Sequence, residues 1–274
     1  ADGSVLRTGA AAIATAKPFF RYYGPDLTGL FLGDAGALGI KARATLRLIR
    51  RPAWVETASF GFATHEHMAG AMTDVAREGL VSECFAMDPV LKAQRMKRAG
   101  LAQDLKAMKG VITSARGLAA GLREAARVAV AGRGFLDESP YSMHVGTEGR
   151  TEASVADALA EVRRIVATHG GTEVENTVPK VLRGMPFVPM SSAIGPAGER
   201  WLPVHALVPL SDAAAAWTAI RALFDARRAD LERLGVEIGV LTAIVGSNAF
   251  VLEPVFYWPA PRTAYYERVL DAAT

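Results

Sequence analysis

The 274-residue sequence has one cysteine, Cys84. No internal disulfide can form, so nothing here argues for an oxidising compartment. Cys84 lies in the apolar run VSECFAM with no His or Asn motif beside it, and reads as a buried thiol rather than a nucleophile. Long apolar runs are also missing. The best candidate, Val236 to Val245, is too short for a membrane span and contains Glu237. The opening ADGSVLRTG is polar and turn-like, not a secretion signal. Charge of one sign is scarce: 31 basic and 28 acidic residues leave +3, which speaks against a basic stripe for nucleic acid. The densest basic stretches, Arg50–Arg51 and Lys92 to Arg98, read as solvated surface, with a weak membrane-surface or phosphate contact as the alternative. The expected location is the cytoplasm, with the face of the inner membrane as a second place. An initiator Met is absent, the start resembles the middle of a hairpin, and Tyr266 to Thr274 reads as a helix cut short. A fragment or processed chain is therefore expected.

Half the residues are hydrophobic and 22% are charged, the balance of a globular protein with a sizeable core. Residues 40–49, IKARATLRLI, alternate apolar and polar side chains and predict a half-buried strand closed by Pro52. Beyond Pro52 strands and helices alternate. Strands are predicted over 57–63, 80–87, 141–145, 172–175, 201–210, 236–245 and 250–258, the last two joined by the hairpin signal Gly246-Ser247-Asn248. Helices are predicted over 65–79, ended by glycine, over 151–168, and over 211–234 with Ser211 as N-cap. Strand–helix–strand units with long helices predict an α+β fold: a ferredoxin-like antiparallel sheet covered by helices and built from two related halves. The alanine-rich segment 101–134 reads as a helical insertion, or as a linker, because its glycines weaken a helix.

The most informative stretch is RYYGPDLTGLFLGDAGALGIKARATLRL, Arg21 to Leu48. Its glycines, Gly24, Gly29, Gly33, Gly36 and Gly39, leave the backbone open to a closely approaching ligand, with N–H groups exposed to meet phosphate or carbonyl oxygens. Taken alone, this is also the composition of an ordinary structural loop. The run resembles the signature of FAD-linked oxidases of the vanillyl-alcohol oxidase superfamily, which includes D-lactate dehydrogenases and glycolate oxidases. That signature is roughly G-x-D-L-T-x-L-F-x-G-S-E-G-T-L-G-I, followed by a strand. The close match covers about a tenth of the chain. The resemblance implies that residues 1–52 are the C-terminal part of an FAD-binding domain and 53–274 the substrate (cap) domain. It implies FAD contacts at Asp26, Thr28, Gly33, Asp34, Ala35, Gly36, Ala37, Gly39 and Ile40. Asp34, Ala35 and Ala37 depart from the pattern, standing where Ser, Glu and Thr are commoner. The family's glycine-rich pyrophosphate-binding loop has no counterpart in this sequence, so an N-terminal FAD-binding half is an expected partner.

Two strand segments carry the remaining candidates. His205, in WLPVHALVP, resembles the second histidine of the H-x-G-D-G-N-x-H metal motif of one branch of the family. The first would fall at Gly198, so no two-histidine metal site is expected. A neutral imidazole suits removal of a hydroxyl proton during hydride transfer; a structurally bonded strand histidine is the alternative. Glu253, in FVLEPVFYWPAPR, is a carboxylate among large apolar residues and needs a partner or a function. His205 and Glu253 are the catalytic candidates, expected to share one cavity beside the flavin ring, or to form a plain structural pair. Tyr257, Arg262 and Trp201 are the substrate-binding candidates, an aromatic pocket with a cation for a carboxylate; core packing is the other reading of the aromatics. His65 and His67 read as exposed imidazoles at a helix start, His144 as a lone strand histidine, and Arg183 as a cation near the substrate mouth. Together these features predict an FAD-dependent oxidoreductase fragment acting on the CH–OH group of a small molecule, a 2-hydroxy acid or a phenolic alcohol. The electron acceptor stays open, and a homodimer is allowed. The alternative is a non-catalytic ferredoxin-like binding module. For RNA binding, that module lacks the paired aromatic signature.

Overall fold

The computed structural model describes residues 3–17, 19, 27–34, 36–98, 139–184 and 199–259. The predicted insertion at 101–134, the C-terminal helix, Asp26, Ala35 and Arg262 lie outside the described residues. The chain divides into two compact units, Ala1–Arg51 and Pro52–Thr274. In the first unit, two single-turn 3-10 segments, Gly9–Ala12 and Leu27–Phe31, are the regular elements among the described residues. Residues 40–49 form no strand there, contrary to their alternating pattern. Alternation alone does not make a strand: a neighbour must take its hydrogen bonds and its apolar side, and no described residue does so. Ile40 and Leu48 are 97% and 92% exposed as a result.

The second unit is one antiparallel sheet with helices on it. Its elements are β1 (Trp54–Phe62), α1 (His65–Glu78), β2 (Glu83–Met87), α2 (Pro89–Arg98), β3 (Tyr141–Gly149), α3 (Glu152–Thr168), β4 (Thr172–Val174), α4 (Thr177–Gly184), β5 (Arg200–Pro203), β6 (Ala206–Pro209), α5 (Ala213–Ala226), α6 (Arg228–Leu234), β7 (Glu237–Val245) and β8 (Ala249–Trp258). The spatial order is β4-β1-β3-β2-β7-β8-β5, with β6 also on β8. The first four strands come from two strand–helix–strand units, interleaved so that β1 and β2 flank β3; this is the ferredoxin-like arrangement that the sequence predicts. The second half has one such unit, β5–β6 and the hairpin β7–β8 joined through α5 and α6. Among the described residues no helix is long and apolar enough to cross a membrane.

Local chemistry sets the helix ends. Thr64 caps α1 by accepting from the His67 amide at 3.3 Å, and Gly79 ends it in the left-handed region at φ 65°. Thr151 caps α3 in the same way, through Ser154 at 3.1 Å. The predicted helix 211–234 differs from its prediction. A 3-10 turn covers Leu210–Asp212, α5 starts at Ala213, and Arg227 leaves helical dihedrals between α5 and α6. Ser211 does not cap, because its hydroxyl donates to the Asp212 carboxylate at 3.0 Å.

One face of the sheet packs on α1, α3 and α5. Phe60, Phe62, Met143, Val145, Phe250 and Leu252 meet Met68, Met72, Val75, Val162 and Trp217 there. His65 belongs to this core and is 2% exposed, unlike its predicted surface position; His67 is exposed. The difference follows from helical geometry, which puts residue 65 on the same face as Met68 and Met72. The His65 ring stacks on Trp217, centroids 3.8 Å apart and planes 9° from parallel, with Tyr141 edge-on at 6.0 Å. Neither ring nitrogen has a hydrogen-bond partner among the described residues. Burial is the main cause that pulls the His65 pKa from 6.5 down to about 4. The unfolded chain therefore binds a proton that the folded chain refuses between those two values. The stability tied to this group is complete above about pH 6.5 and falls away towards pH 4, by up to about 3 kcal/mol. Urea unfolding at pH 7 and pH 4.5 is expected to show this slope in the wild type and a flatter one in His65→Leu; equal slopes would remove His65 from the account.

Candidate functional site

In the first unit, Gly33 and Gly36 have φ of 73° and 84°, a conformation that turns the chain twice within four residues. Among the described residues, a Cβ built on Gly29, Gly33, Gly36 or Gly39 meets no atom within 4 Å, so toward them this side of the loop is open. Its donors are another matter. The Gly36 amide donates to Asp34 Oδ1 at 3.2 Å and the Leu38 amide to Asp34 Oδ2 at 3.0 Å. Ala37 N–H reaches the Asp34 carbonyl at 2.9 Å, and Gly39 N–H the Gly36 carbonyl at 3.3 Å. Lys41 Nζ donates to Asp34 Oδ1 and, at 3.0 Å, to the Gly39 carbonyl. The expectation of exposed loop N–H groups is thus corrected for residues 36–39. An aspartate at this position folds its carboxylate onto the amides that follow it, the usual behaviour of Asp in turns. The Lys41 ammonium, then the Leu38 and Gly36 amides, hold the Asp34 pKa down at about 2. Thr28 bonds the Thr8 hydroxyl at 3.1 Å and so ties the 3-10 turn Leu27–Phe31 to the start of the chain. For a cofactor, this loop offers room along its glycines rather than free amides.

In the second unit, alternation sends the other set of side chains to the sheet face away from α1, α3 and α5. That face carries Ser59, Phe85, Met87, Ser142, His144, Leu241, Glu253, Val255 and Tyr257. Part of it is covered by α2 and α4: Leu91 and Val178 pack with Met87, Leu241, Val255, Tyr257 and Trp201. Leu91 sits so close to β7 that a Cβ on Gly239 would lie 2.7 Å from its backbone nitrogen.

The predicted strand 201–210 is two strands on one register. Trp201 pairs with Tyr257 and Pro203 with Val255; Ala206 then pairs with Leu252. Continuing the register brings Val204 opposite Pro254 and His205 opposite Glu253. Val204 N–H donates to the Pro254 carbonyl at 2.9 Å, but Pro254 has no N–H to return the bond, and the ladder is interrupted there. His205 is next to that gap. Its Nε2 lies 2.8 Å from Glu253 Oε2, with the imidazole 61% exposed and the carboxylate 17% exposed. Trp201 and Tyr257 form the cross-strand pair four residues along on the same face, and Tyr257 is buried. The structure thus gathers four of the predicted residues on one face: Trp201 on β5, His205 in the link between β5 and β6, and Glu253 and Tyr257 on β8.

The Arg183 guanidinium is engaged, donating to Glu83 at 3.2 Å and to Glu148, carboxylates of β2 and β3. His144 is buried with both ring nitrogens bonded, Nδ1 to the Ser59 hydroxyl at 2.8 Å and Nε2 to the Ser142 hydroxyl at 3.1 Å. Neither serine stands out in the sequence; only the register, which sets residue 59 opposite residue 144, brings the three together. Cys84, on the helix-covered face, is fully packed, and burial pushes its thiol up to about 12, far from a nucleophile's range. Among the described residues, no three His, Cys, Asp or Glu side chains are placed to hold a metal ion.

Comparison with known proteins bears on the fold. No protein-family model matches the sequence, and no curated protein sequence matches it. Solved structures do match. An alkyldihydroxyacetonephosphate synthase aligns with a TM-score of 0.54 and 15% identity, over 92% of this chain and 45% of its own. The 4-ethylphenol oxidase from Gulosibacter chungangensis aligns with a TM-score of 0.51 and 12% identity, over 94% and 50%. A p-cresol methylhydroxylase aligns with a TM-score of 0.51 and 14% identity, over 96% and 50%. The likeness is one of fold: the α+β architecture here, an antiparallel sheet flanked by helices, is shared with these proteins. The chain spans about half the length of these proteins.

Ser59→Ala removes one of the two hydroxyls on a buried imidazole, and a cost of about 1–3 kcal/mol is expected. Urea denaturation checks it; an unchanged midpoint and slope would show that His144 does not depend on Ser59.

Proposed function

We propose that this chain is part of an FAD-dependent oxidoreductase that oxidises the CH–OH group of a small molecule, a 2-hydroxy acid or a phenolic alcohol. The observation that carries the reading is the half-exposed imidazole of His205, held at 2.8 Å by the largely buried Glu253 carboxylate. With Nε2–H donated to Glu253, the tautomer that leaves a lone pair on Nδ1 is favoured, and Nδ1 accepts the substrate's hydroxyl proton. Glu253 steadies the imidazolium that results. When bound, FAD supplies the hydride acceptor for the substrate carbon. Tyr257 is buried with Leu91 and serves core packing, the other reading of the aromatics. The half-buried Trp201 beside it is the aromatic side chain for the substrate's carbon skeleton, and Arg262 is a cation for a carboxylate.

In this reading FAD lies along Thr28, Gly33, Gly36, Ala37, Gly39 and Ile40, with Asp26, Asp34 and Ala35 in the same run. The open side of the glycines supports it. The pyrophosphate is held by an N-terminal half of the FAD-binding domain outside this sequence. The exposed apolar side chains of the first unit support such a partner; Leu46, at 79% exposed, and Leu48, at 92%, are examples.

The proposal is tested on the protein with its FAD-binding half present. His205→Gln and Glu253→Gln are each expected to lower the rate of flavin reduction by substrate by more than about tenfold, 1.4 kcal/mol, while the unfolding midpoint holds. Unchanged reduction rates in both variants would eliminate the pair as proton acceptor. The 274-residue chain alone is expected to bind FAD weakly or not at all. Flavin fluorescence titration reads this directly, and tight one-to-one binding would show that no second half is needed.

A further inference from the structure

Asp34 does inside the glycine loop what a bound anion would do. Each of its carboxylate oxygens takes one backbone amide, Gly36 at 3.2 Å and Leu38 at 3.0 Å, and the Lys41 ammonium closes on the first oxygen. The carboxylate is 8% exposed, Lys41 41%. Two convergent amides turned inward by a glycine at φ 84°, joined by one ammonium, are the donor set by which backbone nests hold phosphate and carboxylate groups. In this chain the occupant is tethered to the nest. Its effective concentration there far exceeds that of a dissolved ion, and a second anion at the same place would meet its charge. With Lys41 as its strongest contact, the carboxyl keeps its charge near neutral pH and does not leave by protonation.

We propose that Asp34 plugs an anion site formed by Gly36, Leu38 and Lys41: Gly36 N–H, Leu38 N–H and Lys41 Nζ are closed to phosphoryl groups while Asp34 is present, and take a phosphate when it is removed. The inference rests on the proposed FAD reading only for which ligand's phosphates are turned away. If that ligand is FAD, it meets this loop through its uncharged parts, and its pyrophosphate is bound elsewhere.

The test uses the full 274-residue chain, nitrogen-15 labelled and titrated with inorganic phosphate, with the Gly36 and Leu38 amide signals followed. Wild-type signals are expected to stay in place. In Asp34→Ser they shift saturably, with phosphate affinity at least about tenfold above wild type. Adding Lys41→Gln to that variant abolishes the gain. Asp34→Asn, which keeps the size and removes the charge, is read in the same way should the serine variant lose its dispersed spectrum. Wild-type amides that respond as strongly as the variants would overturn the proposal. So would folded Asp34→Ser and Asp34→Asn chains without a saturable shift. Flavin fluorescence in parallel samples reads the cofactor separately, so a failed FAD reading and an unplugged phosphate site are told apart.

Discussion

Each strand of an antiparallel sheet sends successive side chains to opposite sides, and here one side is filled by α1, α3 and α5. Once Phe60, Met143 and Leu252 are committed to that core, the register leaves Ser59, His144 and Glu253 no choice of face. Polar groups that would cost free energy if buried alone therefore fall together on the far side, where each finds a partner: His144 between two hydroxyls, Arg183 between two carboxylates, Glu253 against His205. The His205–Glu253 pair is a consequence of the core. A one-residue slip of β8 would bury Glu253 among methionines and phenylalanines and put Leu252 in its place.

The sheet was legible because its signals are local. Thr64 and Gly79 bracket α1, and Gly246-Ser247-Asn248 separates β7 from β8. Where sequence reading went astray, the deciding partner was distant in the chain. The alternation of residues 40–49 looks like a strand, but a strand is a relation between segments. The burial of His65 depends on Trp217, more than 150 positions away, which no local pattern announces. The break at Arg227 has no glycine or proline to mark it.

The candidate site was half legible. Glu253 and His205 were conspicuous as charged or titratable residues on apolar strands, and proximity required only the register. The glycine loop was conspicuous too, but counting glycines says nothing about where the amides point. Asp34, a small departure from the resembling pattern, turns those amides onto itself. A single side chain thus occupies the Gly36 and Leu38 amides, and a count of glycines does not reveal it.

The interruption opposite Pro254 also fixes which way the outermost described strands face. Because Val204 N–H points to β8, the even-numbered residues of β5 and β6 bond inward and the odd-numbered ones present their backbone to the outside. Pro203 and Pro209 both stand at outward positions, and neither has an N–H to offer. An extended segment approaching this margin finds the donor missing at two of its five outward positions, 203 and 209, which weakens pairing there. Among the described residues, two pyrrolidine rings thus make the β5–β6 margin of the sheet a poor template for a further strand.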